Sequence, residues 1–408
     1  MNQTRLRYLL RPREVTNRTS LQVLSVYRDH GVIPKDSRSD NFNKTPDDVT
    51  RYQEVRVGDL VVNKMKAWQG SVGVSAYHGI VSPDYLVCSV DPRVDHRYFH
   101  HLLRSAPMVA EYGSRSKGIR PAQWRLYWDD LADVWVDLPS LDEQRRIANF
   151  LDAEVTRIDK LVEFRQRQRR VLKDKFKSVW GAAILDFEAS SWLPLRRLLT
   201  AITDGPFGSA LTSDHYSDEG ARVIRLGNIG EARFRDADAA YISEEYFQDL
   251  RRHEALAGDL IIAGLGDENH PLGRACVVPA LTGHAIVKAD CFRVRLDQRR
   301  IMHEYAAWAL SSPPVSTQVA ELSRGATRAR INLSVARAIS IPVPTLAQQA
   351  RLVTSLSAER LAIDEVVAVF AKQLDILTER RQALIAAAVT GQLDVTTARG
   401  LAQSGDVA

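Results

Sequence analysis

Two stretches of the chain, residues 141–184 and 346–390, carry apolar side chains at alternating steps of four and three. In the first the stripe reads Leu151, Val155, Ile158, Val162, then Arg165 and Arg169, then Leu172, Phe176 and Val179. In the second it reads Leu356, Arg360, Ile363, Val367, Phe370, Leu374, Leu377, Arg381 and Leu384. This spacing predicts two long helices with a coiled-coil seam, the arginines burying their stems while their heads reach water. Neither stretch contains proline, and Gly181 is the one glycine. Ser140 and Thr345 stand where helix N-caps belong, and Glu143 and Gln348 follow at capping-box spacing. The segments before these helices, residues 1–137 and 189–342, have another texture. VGDLVV, GIVSPDYLVC, DVWVDLP, RVIRLGNI, GDLII and RACVV are short β-branched runs between turn residues, which predicts strands.

The two halves are copies. LPSLDEQRRIANFLDAEVTRIDKLVEF from Leu138 aligns without gaps on the segment from Val343, an offset of 205 residues. Leu141, Gln144, Arg146, Leu151, Ile158, Asp159 and Val162 each meet the same residue type. Upstream, Gly58-Asp59-Leu60 answers Gly258-Asp259-Leu260, and HGIVSPDY from His78 answers HAIVKADC from His284. The predicted fold is α+β with a pseudo-two-fold internal repeat: β-rich domains at 1–137 and 189–342, and helical segments at 138–188 and 343–408. An amphipathic helix lying on its own domain would show the same stripe. The duplication favours the two helices pairing with each other, antiparallel, as a rod of roughly 60 Å. Such a rod exceeds the ~34–36 Å turn of B-DNA, so a domain at each end would reach successive grooves of one duplex.

Composition narrows the class. Of 408 residues, 45% are hydrophobic and 26% charged, too apolar for a disordered chain. The net charge of +5 permits a nucleic-acid partner without demanding one. Cys88, Cys276 and Cys291 lie far apart with no CxxC pair, which excludes a disulfide framework and a zinc ribbon and fits a reduced, cytoplasmic setting. The N-terminal run has no signal-peptide core, and the longest apolar runs fall short of a membrane span.

At this level of detail the chain resembles the DNA-specificity (S) subunit of Type I restriction-modification systems. The resemblance rests on Asp204-Gly205-Pro206-Phe207-Gly208-Ser209 followed by VIRLGNI, on HGIVSPDY, on SIPVPTLAQQARLV from Ser340, and above all on the tail ERRQALIAAAVTGQLDV from Glu379. It covers essentially the whole chain, in order, twice. One departure is the first copy's GAAILDFEASSW in place of the AAAVTGQLDV ending. The resemblance implies two target-recognition domains, each reading half of an asymmetric, interrupted site in double-stranded DNA, and two spacer helices forming an antiparallel coiled coil. It also implies two docked methyltransferase (M) subunits and restriction (R) subunits, in a bacterial or archaeal cytoplasm. S-adenosylmethionine and ATP would be used by those partners, and this chain would bind no cofactor and perform no chemistry. A related arrangement, an S-like subunit whose M partner is fused to a nuclease, is the alternative. A structural protein dimerising through the helical pair is a more distant one.

A direct search for catalytic clusters agrees with a recognition role. The only Pro-Pro, Pro313-Pro314, has no aromatic residue after it, and no phosphate-binding lysine loop is present. Asp84 reads as a turn residue, and His96, His100 and His101 as an exposed helix start without a completing ligand. The candidates for DNA contact are therefore loops. In the first domain Asn63, Lys64, Lys66, Trp68, Gln69 and Ser71 mix cations, amides and an aromatic, suited to phosphates and adenine edges. A solvated loop with Trp68 in the core is the plain alternative. Arg115, Lys117 and Arg120 form a second cationic loop, matched in the other copy by Arg324, Arg328 and Arg330. The resemblance adds Ser209, His215, Arg225 and Asn228. RQRQRRVLKDKFK from Arg165 is the densest basic run, either a solvated helix face or a surface for DNA or an acidic partner.

Overall fold

The computed structural model describes residues 2–37, 44–120, 123–188, 191–323 and 329–396. The chain divides into two compact units, Met1–Arg165 with Ala371–Ala408, and Gln166–Phe370. The two divisions fall inside the long helices Leu141–Leu185 and Leu346–Val389, so each unit holds part of both.

The first unit is built on a four-stranded antiparallel sheet, ordered Leu10–Pro12, Tyr85–Val90, Leu60–Asn63, Val72–Val74. Leu24–Tyr27 with Gly31–Pro34 and Gln53–Val55 with Gly79–Val81 form two separate two-stranded ribbons. Strand Asn2–Arg5 pairs with Trp135–Leu138, the strand that leads into the first long helix. Its core joins Leu60, Val62, Phe99 and Tyr112 to Ile147, Leu151 and Val155 of the first long helix and to Ile385, Ala388 and Val389 of the second. Further along, Asp159 pairs with Arg381 at 3.1 Å, so the helices run antiparallel here.

The second unit repeats this sheet as Leu199–Thr203, Cys291–Leu296, Leu260–Ala263, Ala275–Val277. It adds a second four-stranded sheet in which Ala221–Ile224 lies parallel to Ala285–Val287. Strand Trp192–Pro194 pairs with Ser340–Pro342. Phe176, Trp180, Ile184 and Leu356 share its core with Phe292 and Trp308.

The repeat recurs bond by bond. The Gly-Asp-Leu motif is a turn in which Gly58 (φ +91°) and Gly258 (φ +88°) adopt the left-handed conformation that favours glycine. Asp59 then accepts from the Arg56 amide at 2.8 Å and pairs with Arg13; Asp259 accepts from the Leu256 amide at 2.9 Å and pairs with Arg295. Gln144 and Gln349, 1% and 0% exposed, stitch each β-rich part to its helix. The Gln144 amide accepts from the Asp95 N–H and donates to the Arg93 and Pro139 carbonyls; Gln349 accepts from Met302 and donates to Arg300 and Pro344.

Three expectations need correction. The capping box is complete only in the second copy, where Gln348 Oε1 accepts from the Thr345 N–H at 3.0 Å. In the first, Ser140 Oγ accepts from the Glu143 N–H at 3.3 Å, but the Glu143 carboxylate turns to Arg146. The opposite charge three residues on outcompetes the backbone amide. The seam past Leu172 steps by four, through Phe176, Trp180 and Ile184, and Val179 is exposed, because a helix turning every 3.6 residues drifts off a 3.5 period. Finally, His100 and His101 are not on an exposed helix start. His100 faces Gly31 and Gly73, and burial pushes its pKa down to about 3; His101 Nε2 bonds Asp152 at 2.8 Å.

Candidate nucleic-acid interface

In the first unit three loops converge. The Lys64 carbonyl accepts from the Leu126 amide at 2.8 Å, which lays residues 63–71 beside residues 123–126. Trp68 meets Trp124 edge-on at 5.5 Å, and its indole N–H is donated to the Met65 carbonyl. Backbone bonds between Lys117 and Arg125 at 2.9 and 3.0 Å close the second loop. Arg125 reaches Asp84 at 3.8 Å, bringing in the HGIVSPDY turn.

The second unit gathers the corresponding loops with the corresponding bonds. The Gly264 carbonyl accepts from the Ile331 amide at 2.9 Å, and Arg330 Nε donates to Asp290 at 2.8 Å. The Arg330 guanidinium also stands 5.7 Å from the centre of the exposed Phe207 ring. Gly205 leads into that ring pressed against the Lys288 backbone, which leaves no room for a Cβ. Asp204 accepts from the Gly205 and Asp290 amides, and burial, reinforced by the Asp290 carboxylate, raises its pKa to about 6.

The sequence-derived candidates sort by environment. Lys66, Gln69, Lys117, Arg120 and Ser209 are exposed. Lys117 pairs with Asp130 at 2.7 Å and Arg115 with Glu111 at 2.6 Å, ion pairs that exposed side chains exchange readily. Lys64 donates to the Pro83 carbonyl, and Asn63 accepts from the Met65 amide, so both hold the loop together. Ser71 is 4% exposed and Asn228 1%. Asn228 donates to the Arg235 and Ala237 carbonyls and accepts from the Arg225 amide; its hydrogen-bonding capacity is spent on folding the 225–237 loop. Arg225 is paired with Asp238 at 2.6 Å, and His215 stacks on Tyr246 at 4.4 Å. Arg324 and Arg328 lie outside the described residues.

Sequence reasoning missed Trp124, Arg125, Asp84 and Asp290 as parts of this face. Asp84 and Asp290 occupy the same place in the two HxIV motifs, so the repeat carried that signal. Arg125 and Arg330 fall at different distances from the preceding Ser-x-Gly, which hid Arg125 although Arg330 was named.

The seam residues follow the helix pairing. In the first unit Leu151, Val155 and Ile158 are buried and Val162, Leu374, Leu377 and Leu384 half-buried. In the second Phe176 and Leu356 are buried and Leu172, Ile363, Val367 and Phe370 half-buried. Burial raises the Cys88 and Cys276 thiols to about 12, leaving both unreactive at neutral pH. Among the described residues no group of three His, Cys, Asp or Glu is placed to hold a metal ion, and no helix is long and apolar enough to cross a membrane.

No family model matches the chain. Two curated relatives do. The Type I restriction enzyme StySPI specificity subunit of Salmonella potsdam is 25% identical over 200 residues, 49% of this chain and 42% of that protein. The Type I restriction enzyme EcoBI specificity subunit of Escherichia coli is 22% identical over 347 residues, 79% of this chain and 70% of that protein. The match thus spans less than half the length of the first relative. Among solved structures, a chain from a type I R-M system studied for its complex assembly and conformational transition superposes with a TM-score of 0.72. That superposition covers 96% of this chain and 98% of the other at 17% identity. The resemblance read from the repeat and its tail is borne out: the chain is similar in sequence to Type I restriction enzyme specificity subunits and shares the fold of a chain from a type I R-M system.

Proposed function

We propose that this chain is the DNA-specificity subunit of a Type I restriction-modification complex. Each unit reads one half of a bipartite site, the site is asymmetric because the two loop faces differ, and methylation and cleavage reside in partners that use S-adenosylmethionine and ATP. Lys66, Gln69, Lys117 and Arg120 offer phosphate and base-edge contacts in the first unit, and Ser209 and Arg330 in the second.

The observation that carries the reading is a repeated exposed surface. On the first long helix Leu161, Phe164 and Val171 are 44%, 54% and 56% exposed, and their i, i+3, i+10 spacing puts them on one face. On the second, Val366, Val369 and Ile376 are 42%, 52% and 61% exposed. These six residues correspond pairwise at the repeat offset of 205. A solvent-facing apolar triplet present once per copy supports two equivalent docking places for one kind of partner, as two methyltransferase subunits require.

The test is expression with an Asn-Pro-Pro-aromatic methyltransferase partner, followed by sequencing that detects methylated bases. A single interrupted motif is expected. Exchanging residues 1–137 for those of another specificity subunit should change one half of it and leave the other intact. Phe164→Glu with Val369→Glu should abolish methylation and partner binding without lowering the melting temperature. Methylation of DNA by this chain alone would overturn the reading.

A further inference from the structure

The two units differ at one equivalent place. In the second, the wedge between helix His303–Leu310 and the long helices is filled. Phe176, Trp180 and Trp308 meet edge-on or tilted at 5.1–6.2 Å, and the Arg360 guanidinium lies 3.8 Å from the Trp308 ring centre. In the repeat alignment these positions become Arg381, Ile385, His101 and Val155. The first unit therefore has no aromatic plug there. It has a cavity of about 1270 Å³, open on one side, walled by those residues and by Arg104 and Ser105.

The wall is electrostatically incomplete. Four arginines line the cavity. Arg28 has Asp29 at 3.8 Å, Arg97 has Asp152 at 3.1 Å, and Arg381 has Asp159 at 3.1 Å. Arg104 has no carboxylate within 4 Å among the described residues. It donates to His100 Nε2 and to the Arg28 carbonyl, each at 2.6 Å, and its buried Nε–H has no acceptor. The neighbouring His100 is neutral at physiological pH and supplies no counter-charge. Ser105, 2% exposed, occupies the N-cap position of helix Ala106–Arg115, yet its hydroxyl neither caps the helix nor finds another partner. In the second unit the matching residues are satisfied. Ser311 accepts from the Ala232 and Ala275 amides, and Ser312 donates to the Ala309 carbonyl at 2.6 Å.

A guanidinium with no carboxylate in contact, only the more distant charges of Asp29 and Asp159, together with an orphan hydroxyl and an uncapped helix start on the wall of one cavity, call for a ligand that is anionic and rich in acceptor oxygens. The helix start adds the favourable end of its dipole. We propose that the cavity of the first unit binds a phosphate group through Arg104, Arg381 and Ser105. The phosphate belongs either to a free phosphate ester or to the DNA backbone, since Trp68 and Gln69 of the candidate interface stand on the same cavity. The inference goes beyond sequence recognition and stands whether or not the specificity reading does.

Inorganic phosphate is the probe, titrated into the full chain at constant ionic strength with chloride as control. A saturable rise in melting temperature is expected with phosphate and not with chloride. Arg104→Gln, Arg381→Gln and Ser105→Ala should each weaken phosphate binding, the arginine variants about tenfold or more. Ser105→Ala and Arg381→Gln alter a single hydroxyl and a half-buried side chain, so they keep the test valid if Arg104→Gln fails to fold. Repeating the titration with a saturating duplex identifies the source. Competition assigns the site to the DNA backbone, and simultaneous binding assigns it to a free phosphate ester. Equal shifts with chloride, or variants that bind phosphate as the wild type does, would overturn the proposal.

Discussion

The two units use the same scaffold bonds and different fillings. Gln144 and Gln349 make the same three hydrogen bonds, and Asp59 and Asp259 lock the same turn. Yet where one unit gathers three aromatic rings around Arg360, the other leaves a cationic cavity. Where one places Trp68 against Trp124, the other sets Phe207 beneath Arg330. The lesson is a division of labour. Bonds that join the β-rich part to its helix are duplicated because they set geometry, while the open faces of the two units carry different residues.

The sharpest way to break this comparison is at the shared bonds. Gln144→Ala or Gln349→Ala removes three buried hydrogen bonds and strands one amide and two carbonyls, at about 1 kcal/mol or more apiece. Each variant should lose about 3 kcal/mol in denaturant unfolding, and the two losses should match. A clearly smaller loss in one would show that the stitch is structural in only one unit.

At the divergent filling the effects should part. Arg360→Ala removes a guanidinium from three aromatic faces and a 2.6 Å bond to the Glu231 carbonyl, costing about 2 kcal/mol. Val155→Ala, at the equivalent position, removes two methyl carbons beside an existing cavity and should cost about 1 kcal/mol. Calorimetry of both variants checks the order.

Acid response should also differ. Asp204 in the second unit has its pKa raised by burial to about 6, above the ~3.9 of an unfolded aspartate. The folded state therefore holds the proton more tightly, and the stability of its loop rises as pH falls through 6 toward 4 and is lost on going back. Asp152 in the first unit is held below its ordinary value by the His101 hydrogen bond and then by Arg97. Its contribution is complete above the unfolded value and is lost only as pH falls through the lowered one. Between pH 7 and 5, hydrogen-exchange protection factors, which remove the intrinsic pH dependence of amide exchange, should rise around residues 204–209 and stay level around 149–156. Asp204→Asn should abolish the first change.

Much of this contrast is legible in the sequence, and the limit has a physical cause. Helix bounds, strand positions and the duplication are written in local periodicity and in residues that recur at a fixed offset. Gln144 is visible as a repeated residue, but its three partners lie up to 51 residues away, and nothing local announces a buried amide. Asn228 enters as a DNA-contact candidate through the family resemblance alone; whether its hydrogen bonds are already spent depends on carbonyls seven and nine residues on. The Arg360 cage and its empty counterpart require knowing which helix faces meet. Packing decides that, and periodicity alone does not.

The smallest expected effect concerns the basic run, which breaks the repeat most plainly. Arg167, Arg170, Lys173 and Lys177 of the first helix meet Lys372, Asp375, Thr378 and Gln382 in the second. All four basic side chains are exposed, and the half-exposed Lys177 pairs with Glu231 at a long 3.8 Å. Replacing the four with glutamine should therefore change folding stability by no more than about 0.5–1 kcal/mol. Its consequence for DNA is a matter of slope. Each phosphate that the variant no longer neutralises should reduce the dependence of log K on log salt by about 0.9. A shallower slope in the assembled complex would mean that the first helix, unlike the second, faces the duplex between the half-sites. An unchanged slope would mean that the run is a solvated face, and the two helices would then differ in charge without differing in role.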